Sequence, residues 1–245
     1  MNFSRQAGPY LVDGNGQDFV FAQAQGLKDL LSAPRMAVYI REAKGDPELA
    51  FCLYRWNIIL SESLLMPFHF LEVALRNRLS DLLNARTNVS WPILSTGQRS
   101  WLNGVNPIPG FPAKPQWDIE KTRNKLNRRT VGRAVTADCI ISQMMFGFWV
   151  KLFNHNCDQF LWTGGVRSNV FPYAPANVDR NYARQQLEDL RIMRNRIAHH
   201  EIIFTKRPVA INDLIEEICG WMDPELYHLV RTTSDFRKVN GGRPR

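Results

Sequence analysis

The sequence predicts an all-α protein, on three observations. Apolar residues recur at helical spacing over most of the chain, proline and short polar residues stand where helices would start, and no run of strand-like alternation is separated by hairpin turns. With 245 residues the chain is long enough for one large domain, or one domain with a substantial insertion. Hydrophobic residues at 44% and charged residues at 22% exclude global disorder. The longest apolar runs, near 146–150 and 202–204, are too short to cross a bilayer, and Met1-Asn2-Phe3-Ser4-Arg5-Gln6 leads into no apolar signal-peptide core. A cytoplasmic chain with no membrane partner is the expectation.

Residues 1–30, with Gly8-Pro9, Gly14 and Gly16, read as a loosely structured arm. Residues 31–235 read as a single helical domain and 236–245 as a basic, Gly-rich tail. Ser32-Ala33-Pro34 suits a helix start, with proline inside the first turn, and that helix should end near Gly45. Asp46-Pro47 repeats the signal. From Glu48 to about Asn84, Leu49, Leu53, Trp56, Leu60, Leu71, Leu75, Leu79 and Leu82 keep helical spacing, and Pro67 should kink or divide the stretch. Glu72 and Arg76 stand four apart in the order that favours an ion pair on a helix.

Residues from about 87 to 135 form the insertion. Its first part holds Pro92, Pro107, Pro109, Pro112 and Pro115 with Trp91 and Trp101, a composition for a folded-over loop. Trp117 to Arg129 then reads as a short basic helix. Lys114, Lys121, Arg123, Lys125, Arg128, Arg129 and Arg133 face only two acids, Asp118 and Glu120, so this is the densest positive cluster of a chain whose net charge is +8. It reads either as an RNA-binding, phosphate-contacting surface or as a solvated helix face.

Thr136 can cap a further helix through about Asn154, apolar on most sides and therefore buried, in which Gly147 permits close packing. Residues 164–177 read as a connecting loop, and Asp179 caps the next helix. A last pair is expected at about Asn212–Trp221 and Pro224–Thr232. The four cysteines, Cys52, Cys139, Cys157 and Cys219, match no zinc spacing and read as small core residues. No metal and no cofactor is expected.

Chemistry concentrates in the helix that starts near Asp179. On a wheel centred at Leu190, Ala183, Leu187, Met193 and Ile197 fall within roughly 60°, and Arg194 falls at about 40°, inside the apolar stripe. A guanidinium there needs a carboxylate, a carbonyl or an anionic ligand. Asn195 and His199 share the other face beside Arg191, so Arg194 and His199 point about 140° apart. Either the helix loosens around Ala198–His200 or a second copy of the chain supplies the missing face. Two histidines beside Arg and Asn can cleave RNA without a metal. A neutral imidazole takes the ribose 2′-hydroxyl proton and Arg194 stabilises the charge on the phosphorane oxygens. They can equally be exposed histidines favoured at a helix C-terminus.

The segment Leu190-Arg191-Ile192-Met193-Arg194-Asn195-Arg196-Ile197-Ala198-His199-His200 resembles the Arg-x(4–6)-His signature of HEPN domains, in the Arg-Asn-x-x-Ala-His-His form of Abi-like (abortive infection) proteins. Tyr54-Arg55-Trp56-Asn57 through residues 70–77, and the block 146–153, resemble the same family, so the likeness runs from about residue 50 to 205. It implies a HEPN-like helical bundle, a homodimer with the two signatures facing across a cleft, and metal-independent cleavage of an RNA substrate by a toxin or antiviral effector. Such a toxin admits an antitoxin as partner. Carried over, Arg194, Asn195, His199 and His200 would be catalytic, with Glu72 supporting Arg194. Arg196 departs from the family's apolar or small residue and would enlarge the positive field. The alternative is a non-catalytic HEPN module that binds nucleic acid or protein through residues 114–133.

Overall fold

The computed structural model describes residues 31–87, 113–129 and 135–245. The described residues are mostly helical and contain no strand. The helices are α1 (Ala33–Glu42), α2 (Pro47–Thr87), α3 (Ala113–Arg129), α4 (Ala137–Gln143), α5 (Phe146–Lys151), α6 (Arg180–Ala198), α7 (Pro208–Met222), α8 (Pro224–Thr233) and α9 (Phe236–Gly241). The arm at 1–30, the proline- and tryptophan-rich stretch at 88–112 and Arg133 lie outside the described residues.

Several helix starts are set by side chains that intercept the orphan amides of the first turn. Asp46 Oδ1 accepts from Glu48 N at 2.9 Å and Leu49 N at 3.1 Å, and Asp179 Oδ1 accepts from Tyr182 N at 2.7 Å. Thr136 Oγ1 accepts from Cys139 N at 3.3 Å. Ser32 differs: its φ is +66° and its side chain caps nothing, so Pro34 within the first turn is the start signal there.

Four expectations are corrected. Pro67 does not divide α2, which is one helix of 41 residues; one missing amide is a small loss beside Leu60, Leu64, Phe68, Leu71, Leu75, Leu79 and Leu83, all buried. The helix expected from Thr136 to Asn154 breaks at Met144–Met145, where the backbone is extended. α4 exposes Ser142 and Gln143 while α5 buries Phe146, Phe148, Trp149 and Val150, so the break lets the two pieces turn different faces inward. The loop expected at 164–177 is narrower: helical turns run from Asp158 through Asn169, with Gly165 at φ +112°, and the non-helical part is 170–177. The expected tail begins as a helix, α9, in which Phe236 and Val239 are buried.

The chain forms two compact units. The first holds residues up to Pro67, Arg194–Asp213 and Thr233–Arg245; the second holds Phe68–Met193 and Leu214–Thr232. The first unit's core is aromatic. Trp56 and Phe204 rings sit 5.5 Å apart, Tyr39 lies 6.0 Å from Phe204, and the Arg243 guanidinium covers Phe204 at 5.3 Å. Trp56 Nε1 donates to Val239 O at 2.9 Å, tying α9 to α2. The second unit buries Trp149, Phe153, Phe171, Trp221, Leu187 and Leu190. A Cβ added at Gly147 would lie 3.4 Å from Arg191 Cδ, so the arginine stem packs close on this glycine.

By length and composition α2 alone among the described helices is apolar enough to cross a membrane, with an 18-residue window of mean hydropathy 1.6. Its uninterrupted apolar runs are short because scattered polar residues break them, while the average over the window stays high. A core helix with buried leucines has the same composition. Among the cysteines, Cys157 and Cys219 are core residues as expected, whereas Cys139 is exposed.

Candidate functional site

The apolar stripe of α6 is buried as its spacing predicts: Ala183, Leu187 and Leu190 are inaccessible, and Met193 and Ile197 nearly so. Arg194, Asn195 and Arg196 are half-buried, and Ala198, His199 and His200 are exposed. The last four of these lie with Asn195 and Arg194 in the first unit, on one helix end.

How that helix ends fixes the histidines. His199 N still donates to Asn195 O at 2.9 Å, an ordinary α-helical bond. His200 N then donates to Ile197 O at 3.0 Å and Glu201 N reaches back to Arg196 O at 2.8 Å. This pair of bonds is a Schellman closure, with His200 at the left-handed position usually given to glycine. Its φ is +56°. The helix therefore loosens at His200, inside the 198–200 stretch that one sequence alternative named, and stays regular through His199. α1 closes the same way, Lys44 N to Arg41 O and Gly45 N to Ile40 O, and there a glycine takes part.

Side chains hold the unusual turn in place. Arg35 Nη1 donates to His200 O at 2.7 Å. Asn57, buried on α2, accepts from Ile203 N at 2.9 Å and donates from Nδ2 to Glu201 O at 3.3 Å. Arg196 Nη1 donates to Glu201 Oε2 at 2.7 Å. Where a Schellman end commonly has a hydrophobic contact between these two positions, this one has an ion pair. Arg196, expected to enlarge the positive field, is instead matched by a carboxylate.

Glu72, expected beside Arg194, is half-buried and belongs to the second unit. Arg191, expected near Asn195, is tied one turn back to Glu188, at 2.8 Å from Nε, and that guanidinium holds the Glu188 carboxyl below the usual carboxylate range. No group of three or more His, Cys, Asp or Glu side chains that could hold a metal ion occurs among the described residues.

The expected RNA-binding set divides on α3. Pro115 and Ile119 are buried, and Thr122 Oγ1 lies 3.7 Å from Met144 Sδ, so this side packs against the rest of the second unit. Lys121, Lys125, Arg128 and Arg129 are exposed. Arg123 is half-buried. Its Nε is buried without a hydrogen-bond partner, and burial lowers its pKa, partly opposed by Glu120.

No family model, no curated protein and no solved structure matches the chain. The case for a site therefore rests on its geometry.

Three residues of that geometry escape a local reading of the sequence: Arg35, Asn57 and Glu201. Asn57 carried a usable signal. It stands among Leu53, Trp56, Leu60 and Leu64 on the buried stripe of α2, and a carboxamide in that position requires partners.

Proposed function

We propose that the chain is a metal-independent endoribonuclease of the HEPN kind, acting as an abortive-infection, toxin-like effector. One observation carries this reading. Two exposed histidines, adjacent to a half-buried arginine and asparagine, end a helix in a left-handed turn whose residues and the two or three after it are held by hydrogen bonds from Arg35, Asn57 and Arg196. A non-glycine residue in that conformation costs about 1 kcal/mol or more, and such strain is retained where the surroundings over-determine it.

The chemistry needs no group beyond those present. An imidazole of His199 or His200 accepts the 2′-hydroxyl proton, the 2′-oxygen attacks the adjacent phosphorus, and the bond to the 5′-oxygen breaks as that oxygen takes a proton from water or from the imidazolium just formed. The products are a 2′,3′-cyclic phosphate and a 5′-hydroxyl. Arg194 stabilises the added charge on the phosphoryl oxygens, and Asn195 orients the phosphate or an imidazole. Because the helix is regular through His199, Arg194 remains about 140° from it. The guanidinium therefore works with His200 of its own chain or with the histidines of a second copy in a homodimer.

The test is RNA incubated with purified protein in chelator, beside Arg194→Ala and the double change His199→Ala, His200→Ala. Wild type should release cyclic phosphate ends, and both variants should lose this by at least about a hundredfold. Cleavage retained by both would eliminate the site. The exposed cations of α3 favour a second reading, a non-catalytic nucleic-acid-binding module, which predicts salt-sensitive binding and no product.

A further inference from the structure

The outward face of α3 carries an aromatic residue that charge alone does not call for. Trp117 is 57% exposed, the most exposed tryptophan among the described residues. On the helix wheel Arg128, Lys121, Lys114 and Lys125 lie within about 80° of it, on one side. All four are exposed, and so is Asn124 about 20° to the other side. The Lys121 ammonium sits 5.1 Å from the Trp117 ring centroid. The two acids of the helix do not cancel this face. Asp118 is engaged by Lys151 at 3.3 Å, and Glu120 is half-buried beside Arg123.

From this face we infer a binding surface for single-stranded RNA, in which one unpaired base stacks on Trp117 while Lys114, Lys121, Lys125 and Arg128 follow the phosphates. The inference deepens the ribonuclease reading by naming the form of its substrate, and rests on it only for RNA being the natural ligand. Three arguments select this occupant. An exposed indole is costly in water and useful to a nucleobase, which offers a flat face only when unpaired. The cations run from Lys114 to Arg128, about 21 Å along the helix, so they track a backbone rather than grip one phosphate. A membrane surface fits less well, because the apolar side of α3 is buried and Trp117 is the single apolar side chain presented with the cations.

The deciding experiment uses the full chain and a labelled oligonucleotide of roughly 12 residues bearing 2′-O-methyl groups. These block 2′-oxygen attack, so binding is read where cleavage cannot occur. Anisotropy should report salt-sensitive binding. Trp117→Ala should weaken it about tenfold, Trp117→Phe should restore most of the loss, and a duplex of the same sequence should be indifferent to either change. Lys121→Gln and Lys125→Gln should each reduce the slope of log affinity against log salt by about 0.7. Equal weakening of single strand and duplex by Trp117→Ala, or none of either, overturns the inference. So does binding to anionic vesicles with no binding to the oligonucleotide. Trp117-dependent binding without cleavage of natural RNA would leave this surface standing and remove the nuclease.

Discussion

Asn57 accepts the backbone N–H of Ile203 at 2.9 Å, although the two residues are 146 positions apart in the chain. The same carboxamide donates to the carbonyl of Glu201. One buried side chain on α2 thus fixes both ends of the segment 201–203 that follows the histidine pair. Since a carboxamide has both a donor and an acceptor, neither aspartate nor leucine can replace it in both bonds.

Asn57→Ala should therefore destabilise the protein by about 2–3 kcal/mol, because it leaves the buried Ile203 amide without a partner. Urea unfolding would show the lowered midpoint. Ribonuclease activity, measured where the variant is still folded, should fall roughly tenfold to a hundredfold as the histidines lose their fixed positions. An unchanged midpoint would show that the clamp contributes nothing.

His200 gives a sharper separation of stability from activity. Its left-handed backbone suits glycine, so His200→Gly should stabilise the fold by about 0.5–1 kcal/mol while removing an imidazole from the proposed site. A thermal melt should rise by about 1–4 °C. His199→Gly has the opposite sign, since His199 keeps a helical bond to Asn195 and glycine there weakens the helix end. Cleavage lost in the stabilised His200→Gly variant identifies His200 as the acting histidine without confusing the loss with unfolding.

The sequence discloses some of this architecture and conceals the rest for physical reasons. Asp46, Thr136 and Asp179 announce their helices because a short polar side chain before an apolar run acts locally. The buried stripe of α6 is equally legible, being one helix's own periodicity. The left-handed turn at His200 is not, because no glycine marks it and its supports come from Arg35 and Asn57, far away in sequence. The break at Met144–Met145 is hidden for another reason. When residues are apolar on every side, a straight helix and two shorter ones have the same pattern, and packing alone chooses between them.

The cysteines offer a check on burial. Thr136 Oγ1 lies 3.2 Å from Cys139 Sγ, and this hydrogen bond lowers the pKa of an exposed thiol. Burial pushes Cys157 up to about 11 and, with Glu216 adding to it, Cys219 up to about 12. Ellman's reagent should thus modify Cys139 before either buried thiol, and Thr136→Ala should slow it. In the unfolded chain all thiols ionise near about 8.5, so above that pH the unfolded state releases protons that the folded state retains. Stability should fall from there towards pH 12, and Cys219→Ala should flatten the fall. A slope the same with or without Cys219 would argue against its burial.

The regular helix through His199 leaves open which chain completes each proposed site, and subunit mixing answers it. Suppose Arg194 from one chain works with histidines from another. A heterodimer of Arg194→Ala with the double histidine variant then has one site that lost both groups and one that lost neither. Random exchange makes half of the dimers mixed, so about a quarter of wild-type activity should return from two inactive proteins. If instead Arg194 works with His200 of its own chain, every site in every dimer lacks one group, and mixing returns nothing. The measurement is cyclic phosphate released after the two proteins are unfolded together and refolded, against each refolded alone. Recovery near a quarter assigns the site to a dimer interface; its absence, with dimers shown by sedimentation, assigns it to the left-handed turn of one chain.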